Sequence, residues 1–174
     1  YIPERINTSN IGDSNIVAIS AGNYHSLFLD ENGNVYTCGK NNKGQLGLDD
    51  TTKRYIPTEI TSNIGNSNIV AIIGGFYHSL FLDDLGNVYS CGFNNNGQLG
   101  LDDTTDRDIP TKITNNIGDS NIVAISAGSK FSLFLDENGN VYSCGYNNKG
   151  QLGMGDTDNR DIPTKIINNI GNSN

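Results

Sequence analysis

Ser26-Leu27-Phe28-Leu29-Asp30-Glu31-Asn32-Gly33-Asn34-Val35-Tyr36-Thr37-Cys38 is the stretch on which the fold turns. Successive residues of a strand point to opposite faces, so consecutive Leu27, Phe28 and Leu29 make both faces apolar. A sheet with one wet face would alternate instead. Asp30 to Asn34 reads as a hairpin turn in which Gly33 supplies a positive φ. Val35 to Cys38 is the returning strand. Ile16 to Ser20 is an earlier apolar run closed by Ala21-Gly22. After Cys38 comes a long loop, Gly39 to Arg54, then an extended piece from Pro57 to Ile60, where proline suits an edge strand that needs no ladder donor. No helical period persists for ten residues.

The same text returns. Ile16-Val17-Ala18-Ile19 recurs at Ile69 and at Ile122, each step being 53 residues. Cys38, Cys91 and Cys144 keep that step, as do Pro57, Pro110 and Pro163. Pro3 sits 54 residues before Pro57. Between 57–109 and 110–162, 16 of 53 paired positions differ, so about 70% are identical. The chain divides into one repeat domain over 1–174, with units at about 3–56, 57–109 and 110–162 and a partial unit at 163–174. A small sheet covered on both faces and repeated at this period is a propeller blade of four strands. The expected fold is all-β, with about three blades. Three blades do not close a ring of the usual 4–8. The reading is therefore a partial ring or part of a longer chain, with shared rings or open arrays as the alternatives.

Composition agrees. Of 174 residues, 35% are hydrophobic and 17% charged, with 21 glycines and no tryptophan. This is a turn-rich β composition, since helical domains draw on Ala, Leu, Glu and Lys. The net charge of −8 argues against general nucleic-acid or anionic-membrane binding, which needs a basic face. The longest nearly apolar stretch, Ile69 to Tyr77, is too short to span a bilayer. The first residues show no signal-peptide pattern, and Asn7-Thr8-Ser9 reads as a chance sequon. Three cysteines, an odd number, favour a reducing intracellular compartment.

Val35-Tyr36-Thr37-Cys38-Gly39-Lys40-Asn41-Asn42-Lys43-Gly44-Gln45-Leu46-Gly47-Leu48, then Pro57, then Gly75-Phe76-Tyr77-His78-Ser79-Leu80 and Gly86-Asn87-Val88-Tyr89, resembles the RCC1 repeat. That family's pattern is V-Y-x-W-G-x-N-x-x-G-Q-L-G-x-G, a proline, then G-x-x-H-S-x-x-L and x-G-x-V-Y. The Gly-Gln-Leu-Gly core stands at 44–47, 97–100 and 150–153. The resemblance implies a seven-bladed propeller. Two departures stand out. Cysteine replaces the family's tryptophan in all three units, and the last glycine survives only as Gly155, with Asp49 and Asp102 in its place elsewhere.

Chemistry-bearing candidates are few. His25 and His78 share a repeat position that Phe131 fills in the third unit, which marks a packing position. Their neighbours Ser26 and Ser79 point to the opposite strand face, so adjacent His and Ser make no nucleophile–base pair. The cysteines lie one per unit with no C-x-x-C spacing, so they read as small buried thiols rather than metal ligands. Asp30 to Asn34 places glycine fourth, where a calcium loop needs it sixth. No metal and no cofactor is expected.

Binding should sit where the units differ on loops. Those positions include Asn23-Tyr24 against Phe76-Tyr77 and Ser129-Lys130, and Lys40 against Phe93 and Tyr146. Tyr24, Tyr77, Lys40, Phe93 and Tyr146 are the candidate anchors, since aromatics at a loop mouth suit interfaces. Asp49, Asp50, Asp102, Asp103 and Asp156, which follow each Gly-Gln-Leu-Gly, are expected to form an acidic arc. Its plain reading is solubility; its functional reading is attraction to a basic partner. The leading function is a non-enzymatic protein–protein interaction module, because no acid, base, nucleophile or metal constellation converges. Guanine-nucleotide exchange on a small GTPase is the alternative that the resemblance supplies. A structural repeat protein, self-assembling to cover bare blade faces, is the third reading.

Overall fold

The computed structural model describes residues 11, 14–64, 66–117 and 119–167. Pro3, the Asn7 sequon and the end of the partial unit, 168–174, lie outside them. The described residues form three four-stranded antiparallel sheets and no helix. The first sheet contains β1 (Ile16–Ala21), β2 (His25–Asp30), β3 (Val35–Gly39) and β4 (Arg54–Glu59). The second contains β5 (Ile69–Gly74), β6 (His78–Asp83), β7 (Val88–Gly92) and β8 (Arg107–Lys112). The third contains β9 (Ile122–Ala127), β10 (Phe131–Asp136), β11 (Val141–Gly145) and β12 (Arg160–Lys165). Each sheet is a meander in chain order, with Phe28 opposite Tyr36 and Leu29 opposite Val35 in the first. The expected blades are present, and they form an open array rather than a closed ring.

The consecutive apolar residues do what their spacing requires. Leu27, Leu29 and Val35 of the first blade pack against Ile72, Phe81 and Cys91 of the second. Leu80, Leu82 and Val88 of the second pack against Phe134, Tyr142 and Cys144 of the third. The leucines therefore face forward to the next blade and the phenylalanine faces back. The hydrophobic core lies between blades, at about 25 cal/mol per Å² of apolar surface removed from water. β1, β5 and β9 line up as the inner strands, each packed on the next.

The hairpin turns hold themselves. Asp30 Oδ1 accepts from the backbone N–H of Asn32 (2.9 Å) and of Asn34 (2.8 Å), and Oδ2 accepts from Asn34 Nδ2 at 2.9 Å. Asp83 and Asp136 repeat the arrangement. Gly33 has φ +82°, the left-handed value the turn demands. These carboxylates serve the turn's backbone.

Each blade is latched to the next through its Gly-Gln-Leu-Gly loop. The Gln45 carbonyl accepts from Ser79 Oγ (2.7 Å) and from Cys91 Sγ (3.7 Å). Ser79 Oγ in turn lies 2.9 Å from His25 Nε2. The next joint repeats this: Ser132 and Cys144 donate to the Gln98 carbonyl at 2.7 and 3.6 Å, and His78 Nε2 lies 3.1 Å from Ser132 Oγ. A Cβ on Gly47 would sit 3.1 Å from Pro110 Cγ and 3.3 Å from Cys91 Sγ, so the loop, the proline and the cysteine interlock. The cysteine that replaces the family's tryptophan thus becomes part of the latch. Among the described residues no following unit covers the third blade, where a Cβ on Gly150 would meet only the Asp156 carbonyl, at 3.9 Å.

Candidate binding surface at the loop mouth

One end of the array is built from the β1–β2, β5–β6 and β9–β10 turns together with the start of each long loop. Gly39 has φ +113°, and a Cβ there would lie 2.5 Å from the Tyr24 carbonyl. Only glycine allows this approach, which lets Lys40 N donate to Tyr24 O at 2.9 Å. Phe93 N donates to Tyr77 O and Tyr146 N to Lys130 O, both at 2.8 Å. The sequence positions at which the units differ are thereby coupled in pairs: Lys40 with Tyr24, Phe93 with Tyr77, Tyr146 with Lys130.

The side chains meet across blades. Tyr24, Phe76 and Tyr77 form a cluster with centroid separations of 5.6, 5.6 and 4.6 Å. Lys40 Nζ stands 5.0 Å from the ring centroids of both Tyr24 and Tyr77 and donates to the Tyr77 hydroxyl at 3.1 Å. Lys43 Nζ lies 5.0 Å from the Phe93 centroid, and Lys130 Nζ 5.5 Å from that of Tyr146. Tyr24 is half exposed, and Lys40 and Lys130 are exposed. Next to Phe76 an open, shallow pocket of about 350 Å³ is lined by the glycines and alanines of the three inner turns together with Asn23 and Ser129.

The acidic candidates sit elsewhere. Asp50, Asp103 and Asp156 each pair with the arginine four residues on: Arg54 at 2.6 Å, Arg107, and Arg160 at 2.6 Å. Each also accepts from a buried asparagine, Asn41, Asn94 or Asn147. The Arg54 guanidinium holds the Asp50 carboxyl below its usual range. These three acids clamp the long loop rather than presenting free charge. Asp49 and Asp102 are exposed, at φ +60° and +63°, where Gly155 has +79°. Their N–H groups donate to the carbonyls of Asp108 and Asp161, on the outermost strand of the next blade, which puts them on the rim.

The latch brings together a histidine and a serine that the sequence reading had kept apart. The pair comes from neighbouring blades, 54 residues apart. It is unsuited to nucleophilic catalysis. The serine hydroxyl gives its proton to the glutamine carbonyl, so it accepts from His Nε2–H, and the imidazole cannot take that proton. Burial lowers His25 to about 4 and His78 to about 3, so both are neutral. Phe76 and Lys130, which were positions of difference but not named anchors, complete the mouth. The arginine partners went unread, although an acid followed four residues later by arginine recurs in every unit.

The model of the RCC1-like domain family matches residues 1–173. The chain is 36% identical over 150 residues to the X-linked retinitis pigmentosa GTPase regulator of Mus musculus, covering 86% of this chain and 15% of that one. It is 32% identical over 151 residues to the ultraviolet-B receptor of Arabidopsis thaliana, covering 87% and 34%. Among solved structures, human WBSCR16 superposes with a TM-score of 0.81 at 25% identity, over 88% of this chain and 38% of that one. Prp20p of Saccharomyces cerevisiae superposes with a TM-score of 0.78 at 27% identity, over 88% and 38%; its structure was reported with its binding to Gsp1p and histones. The chain spans at most about a third of the length of these curated relatives.

Proposed function

The chain belongs to the RCC1-like domain family, and from that premise we propose that it is a non-catalytic protein-recognition module whose partner docks on the loop mouth. One observation carries this. At the loop mouth the units exchange aromatic and cationic side chains, Tyr24 and Tyr77 for Lys130 and Lys40 for Phe93 and Tyr146, around an aromatic cluster and an open pocket. The repeated positions are used up by turns, latches and loop clamps, which any blade of this design needs. Aromatic side chains at such a mouth supply large contact area at low entropic cost. The two buried His–Ser pairs, which have a catalytic look, point the serine proton the wrong way, which supports the non-enzymatic reading. The three unpaired thiols favour a reducing compartment.

The test is capture of a partner by the full-length protein. Phe93→Ala with Tyr146→Ala should reduce capture at least tenfold, while Glu31→Gln with Glu137→Gln at the opposite end should leave it unchanged. Equal capture by both variants would overturn the reading. Nucleotide exchange is the second reading, drawn from relatives described as a GTPase regulator and as binding Gsp1p. Accelerated release of labelled GDP from a small GTPase at substoichiometric protein would establish it; silence across a broad panel would remove it.

A further inference from the structure

We infer that the loop mouth takes a short acidic segment of a partner protein, its carboxylates meeting Lys40 and Lys130 and its intervening uncharged side chain entering the open pocket across the inner turns. The inference rests on the recognition reading above and adds the chemistry of the occupant.

Three observations converge on it. First, the three inner turns, Gly22-Asn23-Tyr24, Gly75-Phe76-Tyr77 and Gly128-Ser129-Lys130, contain no carboxylate. In a chain of net charge −8 the mouth is a local exception. Second, its cations are uncommitted. Arg54, Arg107 and Arg160 are held by aspartates, and Lys43 by Asp106 at 3.2 Å. Lys40 and Lys130 have no carboxylate partner among the described residues, yet each is fixed in place by aromatic rings. Lys40 gives one N–H to Tyr77, which leaves two donors for a ligand. The cation–π contacts orient the ammonium groups at the mouth, and because both lysines are exposed, the side of each ammonium away from the rings faces solvent. Third, an open pocket across the three inner turns is lined by glycines and alanines together with Asn23, Phe76 and Ser129. This lining carries no charge and leaves room for an uncharged side chain.

The same geometry disfavours other occupants. An incoming lysine or arginine would meet the ammonium already lodged between Tyr24 and Tyr77. A long polyanion such as nucleic acid would have to lie over Asp49 and Asp102 on the rim. A short segment approaching along the inner turns avoids both, and like-charge rejection of this kind sets specificity.

Three fluorescein-labelled peptides of equal length, with repeating Glu-Leu, Gln-Leu and Lys-Leu, test this on the full-length protein by fluorescence anisotropy. The Glu-Leu peptide should bind best, by at least tenfold over Gln-Leu at low salt, and weaken as salt rises. Lys40→Ala with Lys130→Ala should remove that advantage. Lys40→Glu with Lys130→Glu should shift the preference to Lys-Leu. All these side chains are exposed, and unchanged circular dichroism confirms an intact fold. Equal binding of Gln-Leu and Glu-Leu, or a wild-type preference for Lys-Leu, would overturn the inference. In that case, loss of binding in Phe93→Ala with Tyr146→Ala would keep the mouth as a recognition site for other chemistry. Absence of binding by all three peptides, with partner capture also unaffected by those two substitutions, would end both readings.

Discussion

Replacing His78 by phenylalanine, the residue the third unit uses at Phe131, should make the stability curves of variant and wild type cross on acidification. The two rings occupy equivalent places: a Cβ on Gly75 would lie 2.2 Å from His78 Cε1, and on Gly128 it would lie 2.1 Å from Phe131 Cε1, so both side chains cover the same glycine. At pH 7 the exchange removes the bond from Nε2 to Ser132 Oγ but leaves Ser132 donating to Gln98, a loss of about 1 kcal/mol. Acid reverses the order. Buried His78 stays neutral down to about 3, held there first by desolvation and then by the nearby His25. In the unfolded chain it takes up a proton below about 6.5. Stability contributed by a depressed histidine is full above the unfolded value and falls with pH below it. Between pH 7 and pH 5 wild type therefore loses about 2 kcal/mol through this residue that the variant does not. The difference between the two proteins cancels the carboxylates they share. Urea unfolding followed by circular dichroism at both pH values gives the answer. The variant should be about 1 kcal/mol weaker at pH 7 and about 1 kcal/mol stronger at pH 5. Parallel curves would mean that His78 is charged or solvated in the fold and that the latch is misread.

Gly100→Ala should destabilise by at least about 1 kcal/mol more than Gly153→Ala when compared by thermal unfolding. Both have φ +71°, but a Cβ on Gly100 meets Pro163 at 3.1 Å, while on Gly153 it meets only Ile166 at 3.4 Å; equal costs would refute the interlock. Asp49→Gly should raise stability by about 0.5–1 kcal/mol in urea titration, because it relieves a left-handed φ of +60° at an exposed site. Under a maleimide reagent at neutral pH in the folded protein, Cys38 should label first. Burial pushes all three thiols up, furthest for the fully buried Cys91 and Cys144; rapid labelling of those two would contradict the packed joints.

Much of this was legible because repetition does what an alignment does. Leu27-Phe28-Leu29 announced a strand covered on both faces, and the Phe131 replacement identified His25 and His78 as packing residues. The loop mouth was legible as the positions where Tyr24 and Tyr77 give way to Lys130, and Lys40 to Phe93 and Tyr146. Less visible was how charge is distributed. Asp49 and Asp50 are neighbours in sequence, yet one points to the rim and the other onto Arg54, because Asp49 itself is left-handed and turns the chain. The latch was equally hidden. Its partners, His25, Ser79 and Gln45, belong to adjacent units, and no local pattern says which faces meet once blades stack.

Phe131 has a further consequence for how such a chain finds its native order. Two joints built from the same residues invite a slip by one whole unit, in which a blade docks on the neighbour of its proper neighbour and loses almost nothing. Repetitive chains are prone to misassembly of this kind. A blade carrying Phe131 cannot supply the imidazole donor that Ser79 receives from His25 and Ser132 from His78. Placed before either serine, it would leave that hydroxyl short of a bond. A single ring without nitrogen thus distinguishes the third blade from the first two, and gives the array a sense of position that its near-identical sequences would otherwise lack.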